Sequence, residues 1–196
     1  MAAPTQPALF ALPPETPEGF GYRDDLISPR LEAALIEQAQ ATPLAPFEFH
    51  GHLGHRQVAS FGWKYDYGRR RVEAARPIPR LLLDAREIAA EFAGRPPGDF
   101  EQVLLTLYPV GAGIGWHKDK AVFGEVVGLS LGSACTLRFR RPQAGGWSRR
   151  SVEVAPRSAY LLAGPSRREW EHSIAAVPQL RYSITFRTLA AAGAME

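Results

Sequence analysis

The chain has 196 residues, a formal net charge of +3 and a single cysteine, Cys135. That length suits one domain whose core stands without cross-links, and one thiol excludes both a disulfide framework and a cysteine-based zinc site. The start of the chain lacks the charged segment and long apolar core of a secretion signal, and no apolar run approaches the roughly 20 residues that span a bilayer, so a cytoplasmic monomer with no membrane partner is expected. Residues 1–20, rich in Pro and Ala, are expected as an irregular arm, and residues 21–190 as a single domain. Ser28-Pro29 reads as an N-cap with proline at the first helical position, and "RLEAALIEQAQA" follows as an amphipathic helix. Between Pro43 and Tyr67 the pattern is short and mixed. A second helix is expected from Pro79 to about Ala93, with Gly94 as its stop. From there the period changes to that of strands: "VLLTLYP", "VVGLSLG", "ACTLRFR", "SVEVA", "AYLLA" and "YSITFRT" are β-branched and aromatic runs separated by Gly, Pro or Ser. In "ACTLRFR", Cys135, Leu137 and Phe139 share one face, a half-buried strand with the cysteine as a core residue. Two helices followed by six or more strands predict an α+β, mainly β domain: a sandwich or jelly roll backed by two helices in the N-terminal half.

Charge is unevenly placed. The stretch from Arg138 to Arg187 holds ten arginines and three acids, so it carries +7. Such a segment suits an anionic partner, nucleic acid above all. The competing account is compositional, because 20 Arg against 3 Lys also fits a G+C-rich genome.

"GIGWHKD" places His117 and Asp119 two residues apart. In an extended chain, side chains at i and i+2 project to the same side, so an imidazole and a carboxylate can meet one ion. His172, in "REWEHSI", is the third candidate. Two histidines and one carboxylate on one face of an octahedron form a non-haem Fe(II) site with open positions; a polar surface turn is the plain alternative. In "RYSITFR", Arg181, Ser183, Thr185 and Arg187 share one strand face. Two arginines on one strand face are costly if that face is buried without an anion, and a guanidinium meets a carboxylate with a two-pronged fork; a solvated strand face is the plain alternative.

"LYPVGAGIGWHKD", "VVGLSLGS", "PRSAYLLAGPSRREWEHSI" and "RYSITFR", in that order, resemble the AlkB family of Fe(II)/2-oxoglutarate-dependent dioxygenases. The resemblance runs from about Gly19 to Leu189. Within the family, "RQVASFGWKYDY", "LSLGS" and "GPSRREWEHSI" are most similar to the tRNA-hydroxylase branch. The resemblance implies a double-stranded β-helix, Fe(II) as cofactor, and 2-oxoglutarate and O₂ as co-substrates. It implies iron ligation by His117, Asp119 and His172. It assigns Arg181 and Tyr108 to 2-oxoglutarate, with Arg187 near the iron-proximal end. Two departures stand out. Thr106 and Ser183 occupy co-substrate positions that are often asparagines in the DNA-repair members. Ala121 replaces the acid that those members hold near the target base. The implied activity is oxidative demethylation of alkylated bases in DNA or RNA. Hydroxylation of a tRNA base, action on protein, and a non-catalytic binding role are the alternatives.

A substrate lid is expected at about residues 45–72. "SFGWKYDYGRRR" interleaves aromatics with cations, as single-stranded or flipped bases need for stacking and phosphate contact. Trp63, Tyr65, Tyr67 and Arg69 are the substrate candidates, with Arg70, Arg71, Arg167 and Arg168 as further phosphate contacts. Alternating strand faces and an exposed loop are the plain alternatives. His50, His52 and His55 in "HGHLGH" lack a carboxylate partner and are expected in a loop reaching over the site.

Overall fold

Residues 16–49 and 52–190 are described by the computed structural model of the chain. The expected arm falls mostly outside them. The first elements are strand β1 (Phe20–Arg23) and helix α1 (Pro29–Ala41). Ser28 caps α1 as its sequence predicts, its Oγ accepting from the Leu31 N–H at 3.2 Å, with Pro29 behind it. The second helix, α2 (Arg80–Ala93), ends at Gly94, whose φ of 65° is the left-handed conformation that favours glycine. Leu35 and Ala39 of α1, and Leu82, Ala85, Ala89 and Ala90 of α2, are buried. Among the described residues no helix is long and apolar enough to cross a membrane.

The remaining strands are β2 (Ala45–Phe49), β3 (His52–Phe61), β4 (Trp63–Asp66), β5 (Arg71–Ala74), β6 (Gln102–Tyr108), β7 (Ile114–His117), β8 (Phe123–Leu131), β9 (Cys135–Gln143), β10 (Gly146–Val154), β11 (Ala159–Leu162), β12 (Glu171–Ile174) and β13 (Arg181–Leu189). The short helix α3 (Gly164–Arg168) lies between β11 and β12. A major sheet runs β1-β11-β8-β13-β6-β3-β2 and a minor sheet β10-β9-β12-β7, while β4 and β5 form a separate hairpin. From β6 onward the chain passes repeatedly between the two sheets, which is the winding of a double-stranded β-helix. The expected jelly roll backed by two helices is what the chain forms.

Strand alternation sorts the major sheet into two faces. Leu105, Val127, Leu129, Ile184 and Phe186 join the α1 and α2 residues in one core. Val126, Leu137, Phe139, Leu162 and Ile174 fill a second core between the sheets. Arg181, Ser183, Thr185 and Arg187 alternate with Tyr182, Ile184 and Phe186, so they face that inter-sheet space.

Four features depart from expectation. The described residues between 43 and 67 are mostly strand, and their hydrophobic period is erased because Gly54, Arg56, Val58 and Ser60 of β3 face a cleft rather than an apolar core. Of "HGHLGH", expected in a loop, His52 and His55 belong to β3, and His50 lies outside the described residues. Strand β10 begins five residues before "SVEVA", hidden in the polar "GWSRR".

The fourth departure is Arg167, expected to touch phosphate but only 6% exposed. Its guanidinium donates to the carbonyls of Gly124 and Lys120 at 2.8 Å, Phe123 at 2.5 Å and Asp119 at 3.4 Å. It therefore clamps the loop that follows Asp119, leaving Arg168, which is exposed, as the only cation of that pair turned outward. Arg167→Ala should strand these buried carbonyls and cost about 3 kcal/mol, lowering the melting temperature by roughly 6–12 °C in calorimetry. An unchanged melting temperature would contradict the clamp.

Candidate metal and co-substrate site

The two histidines meet because β7 and β12 pair. His172 and His117 are direct cross-strand partners, an arrangement that sets side chains about 5 Å apart at their Cβ atoms. Their ring centroids lie 4.2 Å apart. Gly113 permits the approach, since a Cβ there would stand 2.7 Å from the Ile174 carbonyl oxygen. Asp119 follows just beyond the end of β7 and turns into the same space. Its Oδ2 lies 3.7 Å from His172 Nε2, while its Oδ1 accepts from Arg187 Nη2 at 3.1 Å. Among the described residues no three His, Cys, Asp or Glu side chains already close on a single point. The 3.7 Å gap is a little wider than the about 3 Å that two donors take around one ion at about 2 Å each.

Protonation suits ligation. Burial pushes His172 down to about 3, reinforced by the neighbouring His117, so its contact with Asp119 joins a neutral ring to a carboxylate and is no ion pair. Burial also lowers His117, against the pull of Asp119. The His117 Nδ1 lies 2.9 Å from the Gly115 carbonyl, which assigns the proton to Nδ1 and the lone pair to Nε2. Burial would raise Asp119, but the Arg187 guanidinium leads the effects that outweigh it, and the carboxyl is held well below the usual range. Two neutral imidazoles and one carboxylate are the donor set that a non-haem Fe(II) takes.

Arg181 carries the second half of the fit. It is fully buried, at 0% exposure, and among the described residues its only hydrogen bond runs from Nη2 to Ser130 Oγ at 3.1 Å. Nε and Nη1 have no partner there. A buried guanidinium with no carboxylate beside it is costly unless an anion completes it. Tyr108 pairs in register with Arg181, whose guanidinium lies 4.9 Å from the phenol ring centre. Ser183 stands between Thr106 and Ser130 in adjacent strands, so a polar row crosses the sheet next to Arg181. Thr106, Tyr108 and Arg187 line one inner pocket with His117, Asp119 and His172. The residues present thus fit both a metal and a dianionic co-substrate.

A cleft of about 510 Å³ opens outward from this pocket. It is lined by alternate residues of β3 (Gly54, Arg56, Val58, Ser60), by Tyr65 and Tyr67, and by Trp116, Lys118 and Lys120. Part of the segment from 45 to 72, expected as a lid, thus lines the cleft. Tyr65 and Tyr67 meet edge to face with centroids 5.0 Å apart, and the Lys120 ammonium lies over both rings. Trp63 and Arg69 are placed elsewhere. Trp63 Nε1 donates to Glu101 at 3.3 Å, and Arg69 is exposed, 3.6 Å from Glu73 and 3.9 Å from Asp66. Arg56 escaped the sequence reading although it enters both pocket and cleft, its guanidinium 3.8 Å from the Phe47 ring centre. Tyr160 also escaped it. A cation on a strand face that it shares with Gly54, Val58 and Ser60, and a phenol inside a strand run, carry no signal that marks them as functional.

A family model for the 2OG-Fe(II) oxygenase superfamily matches residues 25–187. The chain is 30% identical over 175 residues to the Mus musculus tRNA (carboxymethyluridine(34)-5-O)-methyltransferase ALKBH8, covering 85% of this chain and 25% of that protein. It is 26% identical over 146 residues to the Alkylated DNA repair protein ALKBH8 homolog of Arabidopsis thaliana, covering 62% and 42%. It thus spans about a quarter of the length of the animal relative and under half of the plant one. Among solved structures, OsALKBH1 superposes with a TM-score of 0.64 at 18% identity, covering 90% of this chain and 98% of that one. A Pseudomonas putida prolyl-4-hydroxylase superposes with a TM-score of 0.60 at 16% identity, covering 88% and 93%. At such identities the superpositions speak to the fold. Family model, sequence relatives and fold agree, and the chain belongs to the 2OG-Fe(II) oxygenase superfamily as an AlkB-like, 2-oxoglutarate-dependent dioxygenase.

Proposed function

We propose that this dioxygenase oxidises substituted bases in nucleic acid, with oxidative demethylation of alkylated bases in DNA or RNA as the first reading. The observation that carries it is the cleft beside His117, Asp119 and His172. Its lining brings five cations (Arg56, Lys64, Lys118, Lys120, Arg187) against one acid, Asp119, together with the rings of Tyr65, Tyr67 and Trp116. Flat aromatic faces and positive charge are what an extruded base and its phosphates require. Hydroxylation of a tRNA base is the second reading. It is favoured by Ala121, where the DNA-repair members hold an acid, and by relatives named for a uridine of tRNA.

In this reading His117 Nε2, His172 Nε2 and Asp119 Oδ2 hold Fe(II). Arg187 fixes Asp119 from its other oxygen, which keeps Oδ2 turned toward His172. Arg181 and Tyr108 take the distal carboxylate of 2-oxoglutarate, with Thr106 and Ser183 beside it. Iron and co-substrate, when bound, would supply the oxidation, with O₂ as oxidant: one oxygen atom ends in succinate as 2-oxoglutarate loses CO₂, and the other in the new C–OH. The protein's part is to place that bond at the metal and exclude water. Tyr65 and Tyr67 stack the base, and Arg56 with the cleft lysines meets its phosphates or polar edge. A hydroxylated N-methyl group would leave as formaldehyde, whereas a hydroxylated side-chain methylene would stay.

The test is mass spectrometry of methylated oligonucleotides and of total tRNA after incubation with the protein, Fe(II), 2-oxoglutarate and ascorbate. Loss of methyl groups with formaldehyde release supports the first reading, and a gain of one oxygen on a tRNA nucleoside the second. Robust hydroxylation of a protein, with both nucleic acids untouched, would refute both.

Binding gives a separate prediction. Affinity for a single strand should fall as salt rises, with a log–log slope of about −0.7 for each phosphate contacted. Removing the Tyr65 or Tyr67 ring by alanine substitution should cost about 1–3 kcal/mol and leave that slope in place. Fluorescence anisotropy over a salt series reads both quantities. A flat salt response would exclude a phosphate-binding cleft.

A further inference from the structure

The inner pocket contains a second phenol besides Tyr108. Tyr160 of β11 is in register with Gly128 of β8, and Gly128 with Thr185 of β13. A Cβ built on Gly128 would stand only 2.5 Å from the Tyr160 hydroxyl oxygen. The ring therefore lies across its neighbouring strand, over the one position in that row with no side chain. Any other residue at 128 would push it away. Tyr160 is 8% exposed, and it lines the same pocket as Thr106, Tyr108, His117 and Asp119. It also lies within electrostatic reach of Tyr108 and Arg181, and of Asp119 as well. Burial raises its ionisation well above the ordinary phenol range, so the hydroxyl keeps its proton and can donate.

The neighbouring donors are short. Thr106 and Ser183 face each other across β6 and β13, and a hydroxyl on Cβ reaches only a short way into the space between the sheets. A phenol entering from two strands away, over a glycine, reaches further. Arg181 meanwhile retains two nitrogens without a partner among the described residues, donors turned toward an anion in the same inter-sheet space.

We propose that Tyr160 donates a hydrogen bond to the distal carboxylate of 2-oxoglutarate, as a third clamp beside Arg181 and Tyr108, and that Gly128 makes the room for it. This rests on the proposed co-substrate site. The experiment uses the full chain loaded with Mn(II), a redox-inert stand-in, titrated calorimetrically with 2-oxoglutarate and, separately, with oxalate. Oxalate chelates the metal but has no distal carboxylate. Tyr160→Phe removes one oxygen and keeps the ring that packs on Gly128. Its 2-oxoglutarate dissociation constant should rise about tenfold or more, as the loss of a hydrogen bond to a charged group implies, while affinities for Mn(II) and oxalate stay at wild-type values. Unchanged 2-oxoglutarate affinity in Tyr160→Phe would overturn the proposal. Equal weakening toward oxalate would also overturn it, because it would make Tyr160 a packing residue. If the wild-type protein with Mn(II) binds oxalate but gains nothing from 2-oxoglutarate, the assignment of Arg181 fails first and this inference fails with it.

Discussion

His172→Ala should abolish iron-dependent conversion of 2-oxoglutarate to succinate, a loss of about a thousandfold or more, while the fold survives. The two halves of that expectation have separate grounds. Catalysis depends on the ring because it supplies one of two neutral nitrogen donors beside Asp119, 3.7 Å from the carboxylate oxygen left free by Arg187. Stability depends on it much less. The ring is buried beside Phe139, so truncation leaves a small cavity, yet its Nδ1 has no hydrogen-bond partner, and removing an unsatisfied buried polar atom offsets part of that loss. Succinate formation, bound metal by elemental analysis and a thermal melt read the parts independently. Asp119→Ala is a poorer probe, because it also strips Arg187 of the one carboxylate it meets among the described residues. Full activity of His172→Ala, with Fe(II) still bound, would sink the triad.

Much of this architecture is legible in the sequence because its signals are local. Ser28, Pro29 and Gly94 punctuate the helices by mechanisms confined to one turn, and both helices lie where those residues put them. Alternation in "ACTLRFR" and "RYSITFR" survives because each strand has a dry inner face. What escaped is non-local. Strands β7 and β12 have four residues each, too few for a period, and their pairing is what makes His117 and His172 neighbours. The register, not the motif, delivers that contact. Arg56 was invisible because the face of β3 that carries it lines a cleft and mixes Gly, Arg, Val and Ser. Arg167 was misread because a basic residue in a polar run looks solvated, whereas tertiary packing turned four backbone carbonyls toward it. Trp63 and Arg69 share composition with Tyr65 and Tyr67 but not their position, since the β4–β5 hairpin points only part of its aromatic content at the cleft.

Arg181→Met should separate binding from folding in opposite directions. In the metal-bound protein, 2-oxoglutarate should bind more weakly by roughly 3–5 kcal/mol, at least about a hundredfold, because the distal carboxylate loses its buried partner. Metal affinity should not change, since Arg181 lies apart from the donor atoms and its one hydrogen bond among the described residues goes to Ser130. Without co-substrate the substitution should leave the protein as stable as before or more so. Methionine fills a similar volume and replaces a fully buried charge that has two unpartnered nitrogens. The wild-type protein with Mn(II) and 2-oxoglutarate at about 100 times its dissociation constant should gain about 2.7 kcal/mol over the metal-bound form, and Arg181→Met should gain almost nothing at the same concentration. Differential scanning calorimetry with and without the co-substrate reads both signs in one experiment. A structural arginine would behave the other way: the variant would melt earlier in every condition, and the increment from 2-oxoglutarate would persist. That outcome would remove the anion from the buried end of β13 and, with it, the reason for two arginines on one inward face.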